Sequence, residues 1–315
     1  MNKMKAILID KYGDSSVLRY GETDRPKPGR GQVLVKIHFA AINPVDWKTR
    51  SGYNRILLGG FFPKILGHDL SGEVVEVGSG VKHFKVGDHV FGMLGLGLGA
   101  YAEYVAASES VLAVKPGNTS FEEAAAIPLA TLTSLQALRD RANIKAGMKV
   151  AINGASGGVG LYAVQLAKYF KTEVTATCSP RNFELVKAQG ADQVIDYKTT
   201  DLGDKKNYFD IIYDCVGTRS FNEDKDSLTA NGIFVSTKTK PLSFISAQIN
   251  NTFSIKKDKQ VLAIPNHKDM VFIKELLENG DLKSVLDSNY LLSEMAEAHE
   301  YSESGRAHGK ITIKI

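Results

Sequence analysis

A glycine-rich segment carries the clearest chemical signal in the 315-residue sequence. It follows the apolar stretch Lys149–Asn153 and precedes a helical stripe of apolar residues. A strand-to-helix turn of this kind is typical of dinucleotide sites, because the N–H groups at the helix start face the pyrophosphate. Gly157 would let the backbone approach that pyrophosphate, and Gly160 would let the helix pack closely on the sheet. We therefore expect the phosphates to bind at Ala155, Ser156, Gly157, Gly158 and Val159.

The first glycine of the usual G-x-G-x-x-G pattern is Ala155 here, so a glycine-rich turn without a ligand is the alternative. The end of the next predicted strand indicates which dinucleotide binds. NAD sites place an acidic residue there, about 20 residues after the loop. This sequence has Ser179 and Arg181 instead, which can hydrogen-bond and pair with a 2′-phosphate. We predict NADPH as the cofactor; the alternative for Arg181 is an exposed surface charge.

The elements that must position this loop change in character near Ser120. Before it, short apolar strands such as Val33–Ile37 and Gly72–Val77 are separated by dense turns, which favours an irregular or barrel-like β domain. Ser120 and Glu123 form a capping-box pattern, and strands then alternate with helices. The predicted fold class is α/β, with a β-rich domain and a doubly wound parallel sheet.

The remaining predicted elements follow from apolar periodicity and from glycine stops. The strands are Lys149–Asn153, Glu173–Thr177, Asp210–Asp214, Gly232–Ser236 and Ile311–Ile315, and the helices include Phe183–Gln189 and Asp269–Asn279.

Composition argues against several classes of protein. The net charge is +4, and the densest basic run, Lys256 to Lys259, is predicted to be a solvated loop and not a nucleic-acid patch. No apolar stretch reaches the roughly 18 residues that a membrane span needs, so we expect no membrane partner. The two cysteines, Cys178 and Cys215, exclude a disulfide framework and are predicted to be small core residues. A cytoplasmic location is the expectation.

Several motifs occur in an order that resembles the medium-chain dehydrogenase/reductase superfamily. They are Ala41–Asp46, Arg50–Gly52, Gly67–Gly78, Val86–Val90, the glycine loop, Gly190–Asp192 and Gly309–Lys310. The sequence most resembles the zinc-independent quinone oxidoreductase branch, which includes zeta-crystallin. The resemblance implies a GroES-like catalytic domain at residues 1–122, a Rossmann NADPH-binding domain at 123–264, and a C-terminal return to the catalytic domain at 265–315.

The zinc-dependent members of the superfamily hold a catalytic metal with two cysteines and a histidine. Aligning the motifs puts these positions at Asn43, His68 and Leu129. A catalytic zinc site normally needs three protein ligands, so the prediction is that the protein holds no metal. His68 is then expected to be a hydrogen-bonded structural or pocket residue.

The resemblance also implies roles near the substrate. Tyr53 matches a pocket tyrosine that could position a carbonyl or donate a proton, or its ring could simply pack on Phe61 or Phe62. Asn43 could hydrogen-bond the nicotinamide or the substrate carbonyl, or it could be a turn residue ahead of Pro44.

Further cofactor contacts are implied by the same resemblance. Thr133 should lie near the carboxamide, Tyr197 near the 2′-phosphate, and Val216 and Gly217 near the nicotinamide ribose. Lys310 could reach the cleft from the last loop, but as a lone lysine it is expected at the surface.

Without a Lewis acid, reduction of an electron-poor conjugated carbonyl is easier than oxidation of an alcohol. The predicted function is therefore an NADPH-dependent, zinc-independent reductase, a homodimer, acting on a small quinone or α,β-unsaturated carbonyl. Two alternatives remain: a metal-free carbonyl or alcohol oxidoreductase of the same superfamily, and a non-catalytic NADPH-binding protein.

Overall fold

The structure is a computed structural model that describes residues 3–53, 55–238, 247–248, 250–252 and 254–315. The chain divides into two compact units. Unit 1 comprises the chain up to Leu129 together with Ile264–Ile315, and unit 2 comprises Ala130–Ala263.

The strands follow the chain in this order: β1 (Lys3–Ile9), β2 (Arg19–Asp24), β3 (Gln32–Ile42), β4 (Lys64–Ile65), β5 (Asp69–Val77), β6 (His89–Met93), β7 (Tyr104–Ser108), β8 (Leu112–Val114), β9 (Lys149–Asn153), β10 (Glu173–Cys178), β11 (Gln193–Asp196), β12 (Phe209–Asp214), β13 (Leu228–Ser236), β14 (Lys257–Gln260), β15 (Leu286–Leu291) and β16 (Lys310–Lys314).

The α-helices are α1 (Pro44–Arg50), α2 (Arg55–Leu58), α3 (Phe121–Ala125), α4 (Pro128–Leu135), α5 (Gly158–Tyr169), α6 (Phe183–Ala188), α7 (Phe221–Asp224), α8 (His267–Asn279) and α9 (Met295–Glu303). A π-helical turn covers Gln136–Arg141, and short 3-10 turns cover Ser15–Val17, Gly95–Gly97, Glu109–Val111, Pro180–Asn182, Leu202–Asp204 and Leu292–Glu294.

Unit 1 is the β-rich part that the sequence predicts. A seven-stranded sheet has the order β15-β16-β3-β5-β6-β8, with β7 also paired to β3, and a second sheet has the order β2-β1-β4. Strand β16 returns from the C-terminus to pair antiparallel with β3, so that Ile311 lies opposite Ile42. Apolar residues from both sheets form one core, among them Ile7, Val35 and Leu70.

Unit 2 is the predicted parallel sheet. Its strand order is β11-β10-β9-β12-β13-β14, and every pairing is parallel. The order reverses beside the first strand, β9, as in a Rossmann fold, and such a switch point is where these sheets bind ligands. The sequence prediction of a doubly wound sheet is confirmed.

The basic run at Lys256–Lys259 was expected to be a solvated loop, and this prediction is wrong. Residues Lys257–Gln260 form the edge strand β14, whose Asp258 is buried. The long side chains of Lys257 and Lys259 leave the strand to reach backbone carbonyls, of Asn251 and Arg141 among others. Charged side chains at a sheet edge are compatible with strand structure because the edge faces solvent.

Two helix ends lie where local sequence signals predict them. Ser120 caps α3, and its hydroxyl accepts from the Glu123 N–H while the Glu123 carboxylate accepts from the Ser120 N–H. Helix α8 ends at Gly280, which has the left-handed φ of 76°. Within the described ranges, no helix has the length and apolar character to cross a membrane.

Candidate active site

The glycine loop between β9 and α5 has an open face at Gly157. Among the described residues, a Cβ placed on Gly157 would meet only the Gly154 carbonyl oxygen, at 3.6 Å, which leaves space beside it. A Cβ on Gly160 would lie 2.3 Å from that same oxygen, because the helix packs directly on the loop backbone. Gly154 has a φ of +77°, and a Cβ there would meet the Val216 side chain at 2.1 Å. The loop therefore needs glycine for packing at two positions and leaves room for a ligand at the third.

The backbone N–H groups of the predicted phosphate loop divide into two sets. The N–H of Ala155 donates to the Thr177 carbonyl at 3.0 Å, and that of Gly157 donates to the Gly154 carbonyl at 3.2 Å. Gly158 and Val159 lie in the first turn of a 12-residue helix, where N–H groups lack intrahelical acceptors. The helix start therefore offers N–H donors and a favourable dipole to an anion beside Gly157.

A buried polar network beneath the loop was not found by the sequence reasoning. Asn153 donates to the Asp214 carboxylate at 2.9 Å and accepts from the Thr177 hydroxyl at 2.8 Å, while that hydroxyl accepts from the Gly154 N–H. These three side chains stand at the carboxyl ends of β9, β12 and β10, which are neighbours in the sheet. The signal that could have revealed them is a polar residue ending each of three apolar strands.

The parallel pairing of β10 and β11 brings the predicted 2′-phosphate residues together. Cys178 lies opposite Asp196, so Ser179 and Tyr197 leave the sheet side by side. Arg181 is exposed and has no ion-pair partner in the described part of the chain, and Tyr197 is 55% exposed. Lys198 follows Tyr197 and adds a second exposed cation that the sequence reasoning did not name.

The turn after β12 presents oxygen atoms to its surroundings. The N–H groups of Val216 and Gly217 both point to the Asp214 carboxylate, at 3.3 and 3.1 Å. What these two residues can offer a ligand is consequently their carbonyl groups. Thr133 is buried on α4, where its neighbour Ser134 donates to the Val159 carbonyl at 2.8 Å and so ties this helix to the start of α5.

A second group of buried polar residues lies in unit 1, around the start of α1. Asn43 is the N-cap residue of α1, as a turn asparagine would be, and its side chain also hydrogen-bonds to Asp69 and Lys310. Its Nδ2 donates to Asp69 at 2.9 Å, and its N–H donates to Asp46 at 2.7 Å. The other oxygen of Asp46 lies 2.5 Å from His68 Nδ1. His68 is therefore a hydrogen-bonded buried residue in this structure.

The Asp46 and His68 side chains favour each other's charged forms. Burial alone would lower the pKa of His68, but the adjacent Asp46 carboxylate outweighs burial and raises it. For Asp46, burial alone would raise the pKa, and the proximity of His68 lowers it below the ordinary aspartate value.

The prediction that Lys310 lies at the surface is wrong. Its side chain is 4% exposed, and its ammonium donates to the Ile42 carbonyl at 3.2 Å and to Asn43 Oδ1. The Asp69 carboxylate lies 3.5 Å away. The residue opens strand β16, whose pairing with β3 carries it inside, and this long-range pairing could not be inferred from an isolated lysine in the sequence.

These residues do not fit a zinc ion. The ligand positions inferred from the motifs hold an amide at Asn43 and an aliphatic side chain at Leu129. The Lys310 ammonium contacts that amide, and a second cation there would be repelled. No cluster of three histidine, cysteine or acidic side chains suited to a metal occurs in the part of the chain that the structure describes.

Tyr53 and the cysteines complete the predicted set. Tyr53 is 50% exposed, and Phe62 packs edge-on against Tyr12 instead, with ring centroids 5.1 Å apart.

Burial raises the pKa of the Cys178 thiol to about 11, which disfavours a reactive thiolate. Cys215 is partly exposed, and burial of its thiol likewise raises its pKa well above the ordinary value.

Comparison with known proteins identifies the family. Residues 29–117 match the alcohol dehydrogenase GroES-like domain, and residues 189–313 match the family described as zinc-binding dehydrogenase. The chloroplastic quinone-oxidoreductase QR1 of Triphysaria versicolor is 39% identical, over 99% of this chain and 98% of its own. The chloroplastic NADPH-dependent alkenal/one oxidoreductase of Arabidopsis thaliana is 32% identical, over 99% of this chain and 79% of its own.

Solved structures agree with these relatives. The quinone oxidoreductase of Coxiella burnetii superimposes with a TM-score of 0.91 at 36% identity, over the whole of both chains. The Escherichia coli quinone oxidoreductase complexed with NADPH has a TM-score of 0.86 at 28% identity, over 99% of this chain and 100% of its own. This chain therefore belongs to the medium-chain dehydrogenase/reductase superfamily, within its quinone oxidoreductase branch.

The expectation of a cytoplasmic location is contradicted by the same comparison. The relatives from Triphysaria versicolor, Arabidopsis thaliana and Spinacia oleracea that match 99% of the chain at 38–39% identity are named as chloroplast proteins. The absence of disulfides, on which the expectation depended, does not distinguish one reducing compartment from another.

Proposed function

We propose that this protein is an NADPH-dependent reductase that transfers hydride to quinones or α,β-unsaturated carbonyl compounds without a metal ion. The observation that carries the proposal is the nucleotide site of unit 2. There is free space beside Gly157 at the start of α5, and Ser179 and Arg181 follow β10 at the place where an NAD site would have an acidic residue. The names of the quinone and alkenal/one oxidoreductase relatives support the same acceptors. Turnover with NADPH on a panel of quinones, enones, aldehydes and alcohols tests it.

NADPH, when bound, supplies the hydride. The residues of unit 2 bind and orient it. The N–H groups of Gly158 and Val159 hold the pyrophosphate, together with that of Ser156. Arg181 pairs with the 2′-phosphate, and Ser179 and Tyr197 hydrogen-bond to it. The carbonyls of Val216 and Gly217, and the Thr133 side chain, orient the nicotinamide end.

The residues of unit 1 act on the acceptor. The Asn43 amide donates a hydrogen bond to the acceptor oxygen, on which negative charge develops as the hydride arrives. Tyr53 is half exposed and has no aromatic partner among the described residues. After hydride transfer, either Tyr53 or a water molecule donates the proton to the product. A conjugated acceptor suits this set of groups because its own π-system spreads the charge.

Arg181→Ala should weaken NADPH binding about tenfold to a hundredfold and leave NADH binding nearly unchanged, because only NADPH carries the 2′-phosphate. Titration of both cofactors by fluorescence measures this. Lys206→Ala is the matched control, since it removes an exposed cation before β12, at the opposite end of the sheet. A wild-type protein that binds NADH as tightly as NADPH would contradict the assignment.

The purified protein should contain no stoichiometric zinc, because two of the three ligand positions carry the Asn43 amide and the aliphatic Leu129 side chain, and the Lys310 ammonium contacts that amide. Elemental analysis before and after dialysis against a chelator measures this, with turnover followed in parallel. One zinc per chain, removed by the chelator together with the activity, would refute the metal-free mechanism.

The proposed partners are small molecules, and the homodimer stays a prediction. Sedimentation equilibrium of the purified protein measures its mass in solution, which is twice the 34.3 kDa of one chain if the dimer forms.

A further inference from the structure

The buried ammonium of Lys310 has a complete set of acceptors. They are the Ile42 carbonyl at 3.2 Å, the Asn43 side-chain oxygen, and the Asp69 carboxylate at 3.5 Å. An ammonium group has three N–H donors and no acceptor, so these three oxygens match it in number and in kind. Such a group is expensive to bury unless it is paired, which makes its presence here a feature that needs a reason.

The surroundings of the Asn43 amide permit a single orientation. Lys310 can only donate, so it faces the amide oxygen, and the Asp69 carboxylate faces Nδ2, from which it accepts at 2.9 Å. The other oxygen of Asp69 accepts from the Leu129 N–H at 2.9 Å, which holds the carboxylate itself in place. One Nδ2 hydrogen then remains, and it has no acceptor in the described ranges of the chain.

The backbone fixes the position of the lysine as well. Gly309 has a φ of +126°, and a Cβ on it would lie 2.6 Å from the Val285 carbonyl oxygen, so only glycine fits before Lys310. The Lys310 N–H donates to that carbonyl at 2.9 Å, and the next residue, Ile311, lies opposite Ile42 in the sheet. The backbone at Gly309 and the pairing of β16 with β3 therefore place the ammonium beside Asn43.

We propose that Lys310 is a positioning residue: its ammonium locks the Asn43 amide so that the remaining Nδ2 hydrogen is held as the donor to the acceptor oxygen. The inference rests on the proposed function, since it concerns the oxygen of a quinone or enone. Hydride adds to the conjugated carbon system, the displaced electron pair moves to that oxygen, and a proton from Tyr53 or water completes the reduction.

If the lysine were merely structural, it would act only as the counter-charge of Asp69. Two variants distinguish this structural role from the proposed role of Lys310 in positioning the Asn43 amide. Asp69→Asn keeps Lys310 on Asn43 but leaves it as a buried charge without its carboxylate. Lys310→Met combined with Asp69→Asn removes both charges and should be the more stable of the two in thermal unfolding.

The proposal predicts the opposite order for catalysis. The double variant should have a kcat at least about tenfold below that of Asp69→Asn, because its Asn43 amide is no longer held. The Kd for NADPH, which unit 2 binds, should be equal in both. A double variant that is at least as active as Asp69→Asn would show that the lysine is only a counter-charge, and would overturn the proposal.

A readout without turnover keeps this test separate from the test of the proposed function. In protein labelled with ¹⁵N-asparagine, the Asn43 side-chain resonances are assigned by their loss in Asn43→Ser. They should form one sharp pair in the wild type and in Asp69→Asn, and should shift or broaden in the double variant. Identical Asn43 resonances in Asp69→Asn and the double variant would overturn the role of Lys310. Wild-type protein that reduces no quinone or enone would instead overturn the proposed function, with the resonances still deciding on Lys310.

Discussion

Gly157→Val is expected to abolish NADPH binding while leaving the protein folded. In the part of the chain that the structure describes, the Cβ position of Gly157 has one neighbouring atom within 4 Å, at 3.6 Å, so the fold has room for a side chain there. That same room is the space in which the pyrophosphate would approach the helix start, and a branched side chain would fill it. Cofactor titration measures the loss, and circular dichroism with thermal unfolding measures the fold.

Gly160→Val is the matched control, because the two glycines lie on the same turn and differ in what surrounds them. A Cβ on Gly160 would lie 2.3 Å from the Gly154 carbonyl oxygen and 2.6 Å from the Ala155 Cα, so this variant should lose stability. If Gly157→Val binds NADPH as the wild type does, the loop is not the phosphate site, and the assignment of Ala155 to Val159 fails with it.

The parts of the fold that were predictable are those with local causes. Strand Lys149–Asn153 has the bounds that its apolar run predicts, and the capping box at Ser120 and Glu123 forms as expected. These features depend on residues close together in the chain, so their signals survive in the sequence alone.

The errors of prediction concern charged residues whose surroundings are distant in the chain. Lys310 is buried because its acceptors come from Ile42, Asn43 and Asp69, more than 240 residues away. Residues Lys257–Gln260 form a strand because they pair with β13. The lysine ammonium groups of this strand donate to backbone carbonyls in other segments of the chain. A run of charged residues predicts exposure to solvent, because most charged side chains are exposed. The charged residues that are buried are identified only by their tertiary contacts.

The candidate site was predictable in its backbone and less so in its side chains. The glycine loop has a strand-turn-helix pattern that is confirmed by the fold, whereas the roles of Asn43 and Tyr53 stay predictions. The network of Asn153, Thr177 and Asp214 was missed because each residue belongs to a different strand. Their proximity follows from the strand order β10-β9-β12, which no local pattern specifies.

The chain is expected to reduce conjugated acceptors and to leave simple primary alcohols unoxidised. An unactivated alcohol keeps a pKa near that of water, about 16, and its oxidation requires a group that removes the hydroxyl proton. In this site two of the three positions that would hold a metal carry the Asn43 amide and the aliphatic Leu129 side chain, and the Lys310 ammonium contacts the amide. A donor and a cation of this kind stabilise charge on an acceptor oxygen but do not abstract a proton. NADPH consumption on quinones, enones, aldehydes and alcohols measures the difference.

Tyr53→Phe sharpens this prediction because it removes only the phenolic proton donor. Turnover on a quinone or enone should fall about tenfold to a hundredfold without disappearing, since solvent can also protonate the product. The exposure of Tyr53, at 50%, gives water access to the same place and is the reason that a complete loss is not expected. Metal-free oxidation of ethanol, with no NADPH consumed on any quinone or enone, would contradict the mechanism. The descriptions of the fold and of the nucleotide loop would stand, because neither depends on the roles of the residues that face the acceptor.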